Sequence, residues 1–205
     1  MIDILYEDRD IVVCIKPIGM DAEHELPQEL GGEIFTVHRL DKGVGGVMVY
    51  AKNKAAAADL SRQIQAGEMI KEYVALVEGC PQESGDWEDL LFKDSRKNKV
   101  YVVNRKRTGV KAARLTYRRL SEGERSLVCV RLYTGRSHQI RVQFSSRGFP
   151  LVGDHKYGSR GPEKEIMLFS CYLRFSVHGS PMSYSAFPSW AENFAKTARI
   201  FENRY

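Results

Sequence analysis

Long hydrophobic runs are missing from this chain of 205 residues. No apolar stretch approaches the roughly 18 residues that a membrane-crossing helix needs. The N-terminus, MIDILYEDRD, lacks the basic start and the apolar run of a signal peptide. Both absences predict a cytoplasmic protein with no membrane partner. Cysteine is sparse. Cys14, Cys80, Cys129 and Cys171 form no CxxC and no Cys/His ligand pair, which argues against zinc sites and disulfide frameworks. Three of them sit in apolar runs (VVCIK, LVCVRL, FSCYL) and are expected to be reduced, small buried hydrophobes. His24, His38, His138, His155 and His178 show no metal-ligand spacing. A phosphate loop ending in GK[ST], GxSxG, HExxH and GxGxxG are all absent. No metal and no cofactor is therefore expected.

What is present suits one globular domain spanning 1–205. Hydrophobic residues make up 43% and charged residues 28%, and the length suffices for a sizeable core. The net charge of +5 is unevenly placed. Between Lys93 and Arg119 stand eleven Lys or Arg and one acid, Asp94, so this segment carries +10 and the rest of the chain −5. A solvated cationic edge that keeps strands apart would look similar. The asymmetry, with Tyr101 and Tyr117 interleaved, favours a nucleic-acid surface, with Arg105, Lys106 and Arg107 at its centre.

Alternation predicts strands in ILYED, IVVCIKP, VMVYAK, IKEYVALVEG, KVYVVN, ARLTYRRL, SLVCVRLY and CYLRFSV. The first two read as an antiparallel pair joined by a polar turn around Arg9-Asp10, and KPIGM ends the second with a turn. Residues 21–33, DAEHELPQELGGE, read as an acidic surface loop, and 80–86 as another loop. Helical spacing appears three times. NKAAAADLSRQIQAG has an Asn53 N-cap and a Gly67 C-cap, with Ala56, Ala57, Leu60 and Ile64 on one face. TGRSHQIRVQF places Ile140 and Phe144 four apart, with Arg141 one turn after Ser137. The tail has a stripe of Trp190, Phe194, Ala198 and Phe201. Strands and helices do not alternate regularly, so the expected class is α+β, a largely antiparallel mixed β-sheet flanked by helices and loops.

Two stretches carry candidate chemistry. In HRLDKGVGG, Asp41 sits on a turn with His38 and Arg39 before it. Asp-Lys-Gly is a common turn, but a turn does not require HRL ahead of it, whereas a poised carboxylate benefits from cationic support. In TGRSHQIRVQF, Arg136, His138, Gln139 and Arg141 crowd a helix start. They could satisfy backbone groups there or meet a ligand. Tyr73 on the strand IKEYVALVEG could be a core aromatic or face a base, and VGDHKYG reads locally as a turn.

KPIGM, HRLDKGVGGVMVYAK, KEYVALVEG, TGRSHQIRVQF and GDHKYG, in this order, resemble the RluA-type pseudouridine synthases. The resemblance implies the pseudouridine synthase catalytic-domain fold and isomerisation of uridine in structured RNA, ribosomal or transfer, without cofactor. It assigns Asp41, Tyr73 and Arg141 to catalysis, with Arg141 as partner of Asp41. Arg39 would help flip the uridine and Ile140 line the pocket. His38, Arg136, His138 and Gln139 join the substrate-binding set. The family usually has Thr-Ser/Gly-Gly where this chain has Val44-Gly45-Gly46, which predicts local loosening of the turn. An N-terminal S4 domain, which many relatives carry, is not expected here, and a monomer is expected. The competing reading is an inactive RNA-binding protein on the same fold.

Overall fold

The computed structural model describes residues 2–194. In chain order these form β1 (Asp3–Glu7), β2 (Ile11–Lys16), α1 (Glu25–Leu30), β3 (Phe35–Thr36), β4 (Gly45–Ala51), α2 (Lys54–Ala66) and β5 (Ile70–Glu78). There follow β6 (Ser84–Asp94), β7 (Lys99–Val103), β8 (Val110–Arg119), β9 (Arg125–Leu132), α3 (Gln139–Ser145), β10 (Leu168–Val177) and β11 (Ser180–Ser185). Short 3-10 turns lie at His155–Tyr157 and Ser189–Phe194. The described residues divide into two compact units, 2–72 with 169–186, and 73–168 with 187–194.

In the first unit the strands run β1-β2-β4-β10, with β3 on β4 and β11 on β10. β1, β2 and β4 pair antiparallel, while β4 and β10 pair parallel through Phe169↔Gly45 and Ser170↔Gly46. That close approach needs glycine. Gly46 has φ +129, and a Cβ there would lie 2.4 Å from the Ser170 carbonyl oxygen. Every residue of β4 is buried, so the strand reads as an apolar run rather than an alternation. α2 lies against it, with Leu60 joining Ile11, Val13, Val47, Val49, Leu173 and Phe175 in one core. The Asn53 side chain accepts the Ala56 N–H at 2.9 Å, and Gly67 ends the helix in the left-handed conformation. Both caps are as the spacing predicts.

In the second unit the strand order is β5-β9-β8-β6-β7. β8–β9, β6–β8 and β6–β7 are antiparallel. α3 packs on β6 and β7, and its residues from Gln139 to Phe144 are all buried. Leu91, Val100, Ala113, Val142 and Tyr157 form one core there. Trp87, Tyr117 and Phe144 make a second, with ring centroids 4.5 to 5.2 Å apart.

Several elements differ from the sequence reading. Residues 21–33 are not all loop. α1 forms because Leu26 has a fully buried site that holds one turn of helix in place. Strand β6 begins at Ser84, inside the stretch read as loop, and its mostly half-buried residues blur the alternation. β11 carries Pro181 and only weak alternation, and pairs through β10. Ser137 lies before α3 rather than on a face shared with Arg141. The turn after Asp41 is closed, not loosened: Val44 is buried and its N–H donates to the Asp41 carbonyl at 2.9 Å. The predicted tail helix lies largely outside the described residues. Cys14, Cys129 and Cys171 are buried thiols, and Cys80 is exposed.

Candidate active site

Lys16 ties down the turn that carries Asp41. Pro17 and Gly19 (φ +88) reverse the chain after β2, and the Gly19 N–H then donates to the Lys42 carbonyl at 2.8 Å. Lys16, at the end of β2, is fully buried. Its Nζ donates to the carbonyls of Pro17 (2.9 Å), Met20 (2.8 Å) and Lys42 (3.3 Å). One ammonium thus ties the KPIGM turn to the residue next to Asp41. Burial pushes the Lys16 pKa down to about 8, against the pull of Asp21, Asp41 and Glu25. Lys16 opens the motif KPIGM, where local pattern did not distinguish it from a turn lysine.

Around this turn, Asp41 is half-buried and Arg39 exposed. Arg39 Nη1 lies 2.6 Å from Glu23 Oε2, and Lys42 Nζ lies 2.9 Å from Glu25 Oε1. His38 does different work. Its Nε2 accepts the N–H of Val49 at 3.1 Å, bracing β4. Desolvation, and then the charge of Lys71, bring its pKa down to about 3, so the ring is neutral at physiological pH. That nitrogen is engaged within the scaffold.

The second constellation gathers on α3 and the turn after Leu151. Arg141 grips Asp154 by two bonds, Nε to Oδ2 at 2.6 Å and Nη2 to Oδ1 at 2.9 Å. The side chains are 7% and 1% exposed. The Arg141 guanidinium also lies 5.1 Å from the Tyr157 ring centroid. The Tyr157 hydroxyl accepts the Val100 N–H at 2.8 Å and sits 2.8 Å from His138 Nδ1. His138 adopts φ 50 at the N-cap of α3, a left-handed conformation uncommon outside glycine. VGDHKYG, locally only a turn, therefore supplies Asp154 and Tyr157, neither of which the sequence singled out. A signal existed: a buried arginine on α3 requires a buried acid.

Gln139 serves the loop rather than an open face. It is 3% exposed. Its Oε1 accepts from Thr134 Oγ1 (2.7 Å) and the Arg136 N–H (3.0 Å), and its Nε2 donates to the Arg114 carbonyl (3.0 Å). Arg136 is exposed, with Nε donating to the Ala112 carbonyl at 3.0 Å. Together these bonds nail the TGR turn to β8. Ile140 and Tyr73 are buried. Arg105, Lys106 and Arg107 are exposed on the turn between β7 and β8, with the Arg107 guanidinium 4.6 Å from the Phe92 ring centroid.

Among the described residues, no group of three or more His, Cys, Asp or Glu could hold a metal ion, and no helix is long and apolar enough to cross a membrane.

Comparison with known proteins places this arrangement. The chain is 32% identical over 202 residues to an uncharacterized RNA pseudouridine synthase of Aquifex aeolicus, covering 86% of this chain and 64% of that protein. It is 33% identical to ribosomal large subunit pseudouridine synthase D of Borreliella burgdorferi, covering 100% of this chain and 68% of the relative. It is 32% identical to the dual-specificity RNA pseudouridine synthase RluA of Vibrio parahaemolyticus, covering 89% and 77%. Against other curated relatives the chain spans only about half of their length, 58% in one case and 53% in another. The structure of human RNA pseudouridylate synthase domain containing 1 matches with a TM-score of 0.80 at 26% identity, covering 92% of this chain and 84% of that one. A family model described as RNA pseudouridylate synthase matches residues 12–146, a span that holds Asp41, Tyr73 and Arg141, and the chain belongs to that family.

Proposed function

We propose that this protein isomerises uridine to pseudouridine in structured RNA, with Asp41 as the catalytic carboxylate and no cofactor. The observation that carries the reading is Asp41 itself. It stands on a turn tied down by a buried lysine, inside a sequence that matches the family over residues 12–146.

The reaction breaks the bond from N1 of uracil to C1′ of the ribose, rotates the base, and joins C5 to C1′. The proton on C5 leaves and N1 gains one, so nothing is added or lost overall. A carboxylate suits both halves: it can trap or stabilise a cationic sugar carbon and can accept a proton. The uridine must leave its stack, at a cost of a few kcal/mol. Arg39, exposed two residues before Asp41, has the planar, multidentate head to fill the gap and hold the backbone. Tyr73, Ile140 and Arg141 join the set because the family resemblance assigns them, Tyr73 to stacking on the uracil, Ile140 to lining and Arg141 to support of the acid. Arg136, with Arg105, Lys106 and Arg107, supplies phosphate contacts. Ribosomal and transfer RNA are the substrate classes of this reading; the Borreliella relative is named for the ribosomal large subunit and the Vibrio relative for dual specificity on RNA.

Release of tritium from RNA labelled at C5 of uridine tests the proposal. Release by the wild type and none by Asp41→Asn supports it. Tight RNA binding with no release from either ribosomal or transfer RNA overturns it in favour of an inactive RNA-binding protein.

A further inference from the structure

Residues 21–33 hold five acids and no Lys or Arg. Two of the acids are ion-paired to the cations that flank Asp41: Glu23 to Arg39 and Glu25 to Lys42. The segment is not a loose tail that happens to touch them. Ala22 and Leu26 are buried. The Tyr50 hydroxyl donates to the Ala22 carbonyl at 2.8 Å. Asp21 Oδ1 accepts the N–H groups of Glu23 (2.9 Å) and His24 (2.8 Å), and Glu25 Oε2 accepts the Asp21 N–H at 2.7 Å. The backbone is thus fixed, while the four paired side chains are between 44% and 60% exposed.

We infer that Glu23 and Glu25 are specificity-determining residues: they occupy Arg39 and Lys42 as stand-ins for RNA phosphates, and RNA must displace them to reach Asp41. The inference rests on the function proposed above. Carboxylate and phosphate oxygens compete for the same donors, and a guanidinium donates to either in a similar geometry. Ion pairs between half-exposed side chains are weak, so Glu23 rotates off Arg39 and the Lys42 side chain swings off Glu25, whose Oε2 keeps the Asp21 N–H, while α1 stays in place. An RNA that presents phosphates to both cations replaces both carboxylates. An RNA that reaches only one leaves a carboxylate facing its backbone, and that like-charge contact disfavours it. The basic turn at Arg105–Arg107 attracts any RNA, so discrimination beside Asp41 is where such a device has an effect.

The test measures binding of a 20-nucleotide polyadenylate, which contains no uridine, by the full chain and by Glu23→Gln and Glu23→Gln/Glu25→Gln. The double variant is expected to bind about 3- to 10-fold tighter near 0.1 M salt. Its log–log salt dependence steepens by about 1.4, the value for two added single-strand phosphate contacts. Glu23→Gln moves the same way by a smaller step. Since Glu23 uses its side chain for Arg39 and not for the segment's own turn, this variant covers the case in which the double variant fails to fold. Placing Glu23→Gln in an Arg39→Gln background separates the gate from bulk charge. Loss of the gain there supports the inference. An equal gain without Arg39, or unchanged affinity in a folded Glu23→Gln, overturns it. Failure of the wild type to release tritium from C5-labelled RNA would count against uridine isomerisation, whereas the polyadenylate cycle reads the gate independently.

Discussion

Arg141 and Asp154 form a bidentate ion pair at 2.6 and 2.9 Å, with both side chains nearly sealed from water. Such a pair is costly to break from one side, since the remaining charge stays buried alone. Asp154→Ala is therefore expected to lose about 3–5 kcal/mol of stability. For a chain of this size that corresponds to roughly 6–20 °C in Tm. Thermal denaturation checks it, and a melting temperature equal to that of the wild type would sink the structural assignment.

Asp41→Asn keeps size and shape and removes the charge. Turnover is expected to fall at least about 100-fold, the scale of a lost acid–base group, with Tm and RNA affinity nearly intact. Normal tritium release from this variant ends the catalytic assignment.

Lys16→Met withdraws the ammonium from the carbonyls of Pro17, Met20 and Lys42. Each buried acceptor left without a donor costs about 1–3 kcal/mol. Because the ammonium also holds the turn bearing Asp41, kcat should fall more than KM rises. A variant with lowered Tm but unchanged kcat would show that Lys16 serves stability alone.

His38 carries a pH signature. Its folded pKa, about 3, lies below the ordinary value of 6.5. The unfolded chain therefore takes up the proton first as pH falls, and the folded state loses stability from about pH 6.5 downward until its own pKa is reached. The loss between pH 6.5 and 5 amounts to at most roughly 2 kcal/mol. Unfolding of wild type and His38→Asn across that range measures it, and parallel curves would contradict the assignment.

Neutralising Arg105, Lys106 and Arg107 as glutamines should weaken binding of any RNA and reduce the log–log salt slope by about 2. An unchanged slope would place the RNA surface elsewhere.

Local patterns predicted much of this molecule. β1, β2, β4, β5 and β7 to β10 follow from alternation or apolar runs, and α2 from its Asn53 and Gly67 caps. What escaped was held by distant partners. α1 is a single hydrophilic turn and a half whose stability comes from the pocket around Leu26. β6 pairs on both sides, with β7 and β8, although its own residues are mixed.

The motifs and their order were readable from the chain, and the family match over residues 12–146 agrees with them; Asp41, Arg39, Tyr73 and Arg141 are candidates that those motifs carry. Tertiary structure alone decided which charge meets which. Asp154 is thirteen residues from Arg141, Glu23 sixteen from Arg39, and the Lys42 carbonyl twenty-six from Lys16. A buried charge selects a partner by desolvation and geometry, neither of which has a period along the sequence. The same holds for His38 and Gln139, whose polar atoms could equally have faced a ligand. Folding turned them inward, to the Val49 amide and to the backbone of β8.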